Sequence, residues 1–299
     1  MGSIELKNKR ILVTGGNGYL GRHLVERLKN EGAQVFIMDK FGEASANTFI
    51  LDITNLESVQ TAITKIQPDI IFHLAASLNR ERSFDRFEET NQVNFVGTQN
   101  LLFALQNTDY QNFIFTSTSE VYGSNIAPFV ETQLADAASP YSLTKVFAEN
   151  FIHTYSKTYG KGFTTLRLFN FFGRNMSPKF FIPQMISTLR KNETFEMTEG
   201  EQKRDFLYLD DVILAMILAA RHPATNEIFN VCSGKAISLK ELVLEIKEKL
   251  NSQSKIIFGA LPYRDHEVWN MVGDNTKIQQ KLGFKPKYNL AHGIEQMLK

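Results

Sequence analysis

Residues 11–39 read ILVTGGNGYLGRHLVERLKNEGAQVFIMD, and the order of residue types in this stretch decides the fold. Arg10–Thr14 is a short β-rich run that ends in glycines. Tyr19–Glu31 follows, with Leu20, Leu24, Val25 and Leu28 on one helical face. Gln34–Asp39 is a second strand. Between the first strand and the helix, Gly15, Gly18 and Gly21 recur every third residue. The first permits a tight turn, the second lets the backbone approach a pyrophosphate, and the third lets helix and strand pack closely. Tyr19 and Leu20 open the helix, whose N-terminal N–H groups face the same phosphates. A glycine triplet alone is weak evidence. Placed between a strand and an amphipathic helix, it has the context of a dinucleotide site.

The alternation of strand and helix continues beyond this stretch. Thr48–Ile53 and Asp69–Ala75 read as strands, the latter apolar almost throughout, as a parallel strand covered on both faces should be. Val93–Gln106 reads as a helix, Asn112–Ser117 as a strand, Ser139–Tyr159 as a long helix opened by Ser139-Pro140, and Thr164–Asn170 as a strand. The expected fold class is therefore α/β, a Rossmann doubly wound parallel sheet with a smaller α+β substrate-binding cap. The pattern changes after Asn170, where FFGRNMSPKFFIPQM reads as a boundary. Residues 1–170 are expected to form the dinucleotide-binding domain, with a return of about 205–225, and residues 171–299 the cap. In the cap, Phe181–Lys191, Asp210–Arg221 and Ser238–Leu250 read as helices, and Phe195–Glu199, Phe229–Val231 and Lys255–Phe258 as strands.

Composition narrows the function classes. A net charge of +1 over 299 residues gives no electrostatic case for nucleic acid or a membrane surface. The single cysteine, Cys232, excludes an intrachain disulfide. The N-terminus lacks a signal-peptide pattern and the longest apolar run, Val212–Ala220, is too short to span a bilayer, so a cytoplasmic protein is expected. The six histidines form no close ligand pair, and no metal is expected; His73, in an apolar strand, reads as a satisfied core residue.

Several residues mark the cofactor. Asp39 closes the second strand eighteen residues beyond Gly21, where an acidic side chain accepts hydrogen bonds from both ribose hydroxyls and repels a 2′-phosphate. That favours NAD over NADP; Lys40, next to it, softens the preference. Asp52 and Ile53 are placed to meet the adenine. Leu74, Ala75 and Ala76 are small or apolar and let the backbone run close to the cofactor.

Chemistry is carried by FTSTSEVYG, residues 115–123, and by Tyr141-Ser-Leu-Thr-Lys145. Tyrosine and lysine at i, i+4 stand on one helical face. A phenol with pKa near 10 is a poor base at neutral pH, and lowering it by about 3 units takes roughly 4 kcal/mol of differential stabilisation. A nearby ammonium and an oxidised nicotinamide favour the phenolate. Thr118 supplies a hydroxyl to hold the reacting oxygen in line with Tyr141.

GGNGYLG, HLAA, VNFVGTQNLL, STSEVYG, YSLTK, LRLFNFFG and RDFLYLDDV follow in one order along nearly the whole chain. In this the chain resembles the extended short-chain dehydrogenase/reductases of the nucleotide-sugar epimerase/dehydratase type. The resemblance implies an enzyme with Thr118, Tyr141 and Lys145 as catalytic residues. It implies Asn94, Ser117 and Phe169 at the cofactor, and a nucleoside-diphosphate sugar as substrate. Ser77, Thr118, Ser119 and Asn170 are expected at that substrate, and Arg204 and Arg264 match positions that grip its phosphates; guanidinium forks suit such bidentate contacts. Phe180, Phe181 and Ile182 are candidates for an apolar wall against the nucleobase, with core packing the expectation for at least one of them. Family members commonly pair the helix after the fourth strand with the Tyr–Lys helix, so a homodimer is expected, with Val146, Phe147, Phe151 and Ile152 serving it or the core.

The reaction is less determined. Glu120, after Thr118 and Ser119, is either an additional general base or a residue that orients the sugar. An epimerase or related enzyme that recycles NAD through a 4-keto intermediate fits Asp39 best. A 4-keto-6-deoxyhexose-nucleotide reductase consuming NAD(P)H comes second, suggested by the short chain and by FGALPYRDHEVWNM. A 4,6-dehydratase comes third. A non-catalytic dinucleotide sensor, which would tend to lose the Tyr–Lys pair or the arginines, fits poorly.

Overall fold

The computed structural model describes residues 4–78 and 83–298. The chain runs β1 (Arg10–Thr14), α1 (Tyr19–Asn30), β2 (Gln34–Asp39), β3 (Thr48–Ile50), α2 (Leu56–Ile66), β4 (Ile70–His73), α3 (Phe87–Asn91), α4 (Gly97–Leu105), β5 (Asn112–Thr118) and α5 (Pro140–Tyr159). It continues β6 (Phe163–Leu168), β7 (Asn170–Phe172), α6 (Phe181–Arg190), β8 (Phe195–Glu196), β9 (Lys203–Tyr208), α7 (Leu209–Arg221) and β10 (Glu227–Val231). It closes with β11 (Ala236–Ser238), α8 (Leu239–Lys249), β12 (Ile256–Ile257), β13 (Asn270–Met271), α9 (Thr276–Leu282) and α10 (Leu290–Leu298).

Seven strands form one parallel sheet in the order β10-β6-β5-β4-β1-β2-β3. The order reverses between β1 and β4, and ligands of open α/β sheets bind in the crevice at such a point. The central strands are buried on both faces: β4 is buried at every residue and β5 at all but its last. One apolar layer joins β1 to α1, α7 and α9 through Leu24, Leu28, Val212, Met216 and Ile278. The other joins the opposite face to α2, α4 and α5 through Ile63, Leu101, Ala148 and Ile152.

Two differences from the expected elements have physical causes. Phe229–Val231, expected as a cap strand, belongs to Glu227–Val231, which pairs with β6 as the seventh strand of the large sheet, with α7 as its crossover. The return to the first domain therefore extends beyond residue 225, and α9 packs with it. Five residues with apolar Ile228, Phe229 and Val231 carry no periodicity that tells a sheet edge from a cap strand. Helix α2 was not among the expected elements. Asn55 caps it by accepting from the Ser58 N–H at 2.9 Å, and Val59, Ala62, Ile63 and Ile66 make its buried face.

A smaller sheet is built on β9, which pairs with β11 on one side and with β13 and β7 on the other. β13 and β7 meet successive stretches of β9, Lys203–Arg204 and Phe206–Tyr208. This brings Asn170 and Met271 to one place. α6, α8 and α10 pack on this sheet through Ile182, Met185, Leu242, Ile246 and Ile294.

The glycine turn is tightly constrained. A Cβ on Gly21 would lie 2.2 Å from the Gly15 carbonyl oxygen. Gly21→Ala therefore forces α1 away from β1, and overpacking of this kind costs about 1–3 kcal/mol. Thermal melts should show a lowered Tm with weakened NAD binding; a Tm equal to wild type would refute the close-packing role.

Candidate active site

Gly15 has φ +68°, and a Cβ there would sit 2.8 Å from the Ala75 amide nitrogen. The turn after β1 is thus flush against the chain leaving β4. At Gly18 an added Cβ would meet only the Gly15 oxygen, at 3.1 Å, so its outer side is open to a close-approaching phosphate. Gly18 is also the extended residue that opens α1. These features fit a dinucleotide pyrophosphate at the helix N-terminus. Tyr19 and Leu20 form the first turn; the Tyr19 hydroxyl donates to the Arg174 carbonyl at 2.9 Å and ties the turn to the loop after β7. The Asp39 carboxylate accepts from the Asn17 N–H at 2.9 Å and from the Phe41 N–H at 3.1 Å, which holds it beside the glycine turn.

Lys40 does not extend toward a phosphate. Its ammonium lies 2.8 Å from Asp52, whose other oxygen takes the Thr54 N–H and hydroxyl. Ile53 is buried against Gly97, and Asn100 donates to the carbonyls of Ile53 and Thr54. Leu74, Ala75 and Ala76 run from half-buried to exposed along the chain leaving β4.

A chain of hydrogen bonds crosses the floor of the crevice. The Ala75 N–H donates to the Thr14 hydroxyl at 3.2 Å, and that hydroxyl meets His73 Nδ1 at 2.7 Å. His73 Nε2 lies 2.8 Å from the Thr98 hydroxyl, which donates to the Asn94 carbonyl at 2.6 Å. Thr98 has one proton and gives it to Asn94, so Nε2 must carry the imidazole proton and Nδ1 must accept from Thr14. Burial, with a smaller contribution from the Lys145 charge, pushes His73 down to about 3, so it stays neutral. His73 is the satisfied core residue that its apolar strand suggested.

Asn94 belongs to a π-helical turn, Gln92–Val96, between α3 and α4. Its side chain clamps Ser77, accepting its N–H at 2.7 Å and donating to its carbonyl at 3.1 Å, and donates to the Thr144 hydroxyl of α5 at 3.0 Å. Asn94 thus sets Ser77 against the helix that carries Tyr141.

Ser139 and Pro140 open α5, with a capping box between Ser139 and Ser142. Tyr141 is half-buried. Lys145 is buried, donates to the Thr116 carbonyl at 3.0 Å and lies 4.6 Å from the Phe115 ring centroid. Burial pushes its ammonium down to about 8, opposed by Glu149 one turn further on. Thr118 ends β5 and its hydroxyl accepts the Glu120 N–H at 3.2 Å. The Glu120 carboxylate accepts from the Ser139 hydroxyl at 3.0 Å, linking the end of β5 to the start of α5. Ser119 is buried, with its hydroxyl 3.4 Å from the Met271 sulfur, and the Asn170 amide lies 3.5 Å from the same sulfur. Met271 is a member of this site that the sequence reading missed; only its pairing with β9, a contact far along the chain, reveals it.

Three expected contacts fall elsewhere, and a fourth residue, Arg204, already has a protein partner. Phe169 is 3% exposed and packs against Tyr122 and Phe129 in a satellite core with Cys232, so it offers little surface to a nicotinamide. Ile182 is 2% exposed inside the core of the smaller sheet and forms no wall; Phe180, just before α6, is half-buried beside it. Ser117 is buried on the face that α5 covers. Arg204 is held by Glu267 and by the Val268 carbonyl at 2.7 Å, and burial lowers its pKa despite that pairing. Arg264, exposed, and Glu120 both act on Arg204 electrostatically, so the three share a neighbourhood. Among the described residues, no group of three or more His, Cys, Asp or Glu side chains could hold a metal, and no helix is long and apolar enough to cross a membrane.

The family model described as the NAD dependent epimerase/dehydratase family matches residues 11–232. The chain belongs to this family. A putative UDP-glucose 4-epimerase from Methanocaldococcus jannaschii is 30% identical, over 96% of this chain and 97% of that protein. A UDP-N-acetyl-alpha-D-glucosaminuronate decarboxylase from Bacillus cytotoxicus is 31% identical, over 97% of each. The crystal structure of UDP-glucose 4-epimerase from Thermotoga maritima with UDP-glucose superposes with a TM-score of 0.90 at 28% identity, covering 96% of this chain and 97% of that one. The Rossmann-type sheet, the NAD-dependent character and enzymatic activity on nucleotide sugars are common to this family.

The hydrogen-bond chain through His73 generates a stability test. Thr98→Val leaves the His73 Nε2 proton without an acceptor in a dry site, at a cost of about 1–3 kcal/mol. Denaturant titration should show a lowered midpoint with an unchanged slope; an unchanged midpoint would mean that the network contributes nothing.

Proposed function

We propose that this chain oxidises a nucleoside-diphosphate hexose at C4 and returns the hydride to the same sugar, acting as an epimerase that recycles bound NAD. The observation that carries this reading is Asp39, held beside the glycine turn by the Asn17 and Phe41 amides. A carboxylate there suits the two free hydroxyls of an NAD ribose and repels the 2′-phosphate that a consuming NADPH reductase would present. NAD, when bound, supplies the hydride acceptor and donor. Tyr141 takes and returns the proton of the sugar hydroxyl, Lys145 favours the phenolate, and Thr118 holds the reacting oxygen. Arg264 and Arg204 are assigned to the diphosphate, and Ser77, Ser119 and Asn170, with Met271, to the sugar.

A second reading, a decarboxylase or dehydratase, rests on Glu120. Glu120 lies two residues after Thr118, whose hydroxyl accepts its backbone N–H, so a carboxylate is available next to the relay for a further step, and a decarboxylase is among the relatives. Its bond to Ser139 supports an orienting role instead.

The product decides between them. Purified protein with NAD and UDP-glucose, then with UDP-glucuronate, is followed by chromatography and mass spectrometry. A product of unchanged mass at a new retention time supports the epimerase. Loss of water or of carbon dioxide moves the assignment to the second reading, and turnover only with added NADPH and a keto sugar moves it to a reductase. Tyr141→Phe should abolish turnover while NAD remains bound; undiminished turnover in that variant would remove Tyr141 from the relay.

We also propose a homodimer through α4 and α5. Phe95, Phe103, Phe147, Phe151, Tyr155 and Tyr159 form a continuous aromatic stripe across these helices and the π-turn. Phe103 is 43% and Phe147 37% exposed, whereas Ile152 is core and Val146 packs against the satellite cluster. Light scattering should give twice the chain mass, and Phe103→Glu with Phe147→Glu should halve it. A monomeric wild type would end this proposal.

A further inference from the structure

One buried ion pair lies directly behind the relay. Glu149 stands one helical turn beyond Lys145, on the same face of α5. Arg167 of β6 clasps its carboxylate with two bonds, Nε to Oε1 at 3.1 Å and a terminal nitrogen to Oε2 at 2.7 Å. The guanidinium also lies 4.7 Å from the ring centroid of Tyr122, whose hydroxyl donates to Asn230 at 2.6 Å. Both charged side chains are almost fully buried, 6% and 5% exposed.

Such a pair is weak evidence of a stabilising role. Well-packed apolar residues of similar volume serve as well or better, because desolvation offsets the attraction. Here one guanidinium nitrogen, and the hydroxyl of the cross-strand neighbour Ser117, are buried without a hydrogen-bond partner among the described residues. The arrangement is costly, and what it delivers is a negative charge one turn from Lys145.

We propose that Glu149, held by Arg167, is a positioning residue of the relay, keeping the shared proton on Lys145 and therefore off Tyr141. The inference rests on the Tyr–Lys relay proposed above. When one proton has left the Tyr141–Lys145 pair, the remaining proton has two places. It sits on the lysine, leaving phenolate and ammonium, or on the tyrosine, leaving phenol and amine. The two forms have equal net charge, zero, and differ in where the proton lies: the first carries an ammonium and a phenolate, the second carries neither charge. Lys145 is one turn from Glu149 and Tyr141 is two turns away, so the carboxylate favours the ammonium–phenolate form. Burial of Lys145 opposes it, and the Thr116 carbonyl and the Phe115 ring are the other groups that support the ammonium.

Other ionisable groups around α5 do not replace Glu149. His73 on β4 is neutral and its position disfavours a second cation. Glu120, in the turn after β5, is bound to Ser139 at the opposite end of the Tyr–Lys segment. On α3, Glu88 and Glu89 are exposed, and Glu89 pairs with Arg86. Arg167 on β6 is a cation: it holds Glu149 in place, and its own charge opposes the ammonium, so it does not substitute for the carboxylate.

The test reads Tyr141 directly and needs no substrate. Ultraviolet difference absorbance of tyrosinate, wild type minus Tyr141→Phe, is followed against pH on the full chain with NAD added. Glu149→Gln should lower the Tyr141 tyrosinate amplitude near pH 8 several-fold, about tenfold if the bias is one pK unit. Glu149→Gln leaves Arg167 buried without its partner and lowers stability, so the double variant Glu149→Gln/Arg167→Gln, which removes both charges, is measured alongside. It should fold and still show reduced amplitude, while Glu149→Asp should restore part of it. Wild-type amplitude in a folded double variant overturns the inference and leaves the pair a structural one. If wild type and Tyr141→Phe show no difference signal at all and turn over equally, the relay reading itself fails, and that outcome is separate.

Discussion

Backbone lies against backbone where β1 and β4 end, and the rest of the site depends on that contact. Gly15 has no room for a side chain because the Ala75 amide is there. The Thr14 hydroxyl bonds that amide and also His73. From His73 the connection runs through Thr98 to the Asn94 carbonyl, and the Asn94 side chain reaches Ser77 and Thr144. The phosphate-binding turn and the helix that carries Tyr141 are thereby parts of one hydrogen-bonded unit. Its proton directions are fixed by the donor count and by a histidine that stays neutral. A network with every member satisfied is rigid, and rigidity is what hydride transfer between a cofactor and a sugar carbon requires. The π-turn at Gln92–Val96 has a place in this scheme: local rewinding of this kind recurs at functional sites, and here it carries the asparagine that joins three elements.

The same unit makes a buried lysine tolerable. An ammonium excluded from water is costly, and among the described residues one carbonyl, that of Thr116, bonds Lys145. Aromatic and carboxylate neighbours supply what solvent would have. Its charge is therefore poised rather than assured, which suits the role proposed for it of biasing a neighbouring proton.

Features that depend on near neighbours along the chain were legible in the sequence. The glycine triplet, Asp39 at the end of β2 and the Tyr–Lys spacing each draw their meaning from residues within a turn or two, and the structure places them around one crevice. Features that depend on distant pairing were not. Phe229–Val231 became a sheet strand because β6 offered an edge, a fact absent from those few residues. Phe169 was expected at the cofactor from the resemblance and Ile182 at the nucleobase from an apolar run, but neither motif nor run tells which way a side chain faces, and both pack into cores. Met271 was invisible for the converse reason, since only the pairing of β13 with β9 brings it to Ser119 and Asn170. Glu149 stood in view at the next turn after Lys145, but its meaning required Arg167 from another strand.

The two arginines assigned to the diphosphate are not equivalent, and the difference bears on how a substrate enters. Arg204 is already paired with Glu267 and bonded to backbone carbonyls. A phosphate arriving there competes with a carboxylate, so the attraction it gains is only the difference between two anions. Arg264 is exposed, and its charge acts on Arg204 unfavourably. An anion placed between them relieves that repulsion as well as meeting both guanidinium groups. Under the proposed assignment the first encounter belongs to Arg264, and Arg204 is a preset wall that Glu267 already holds. Preorganisation of this kind lowers the ordering cost of binding rather than adding contact energy. The same assignment leaves selection among sugars to the place where Ser119, Asn170 and Met271 meet and where Glu120 already has a partner in Ser139.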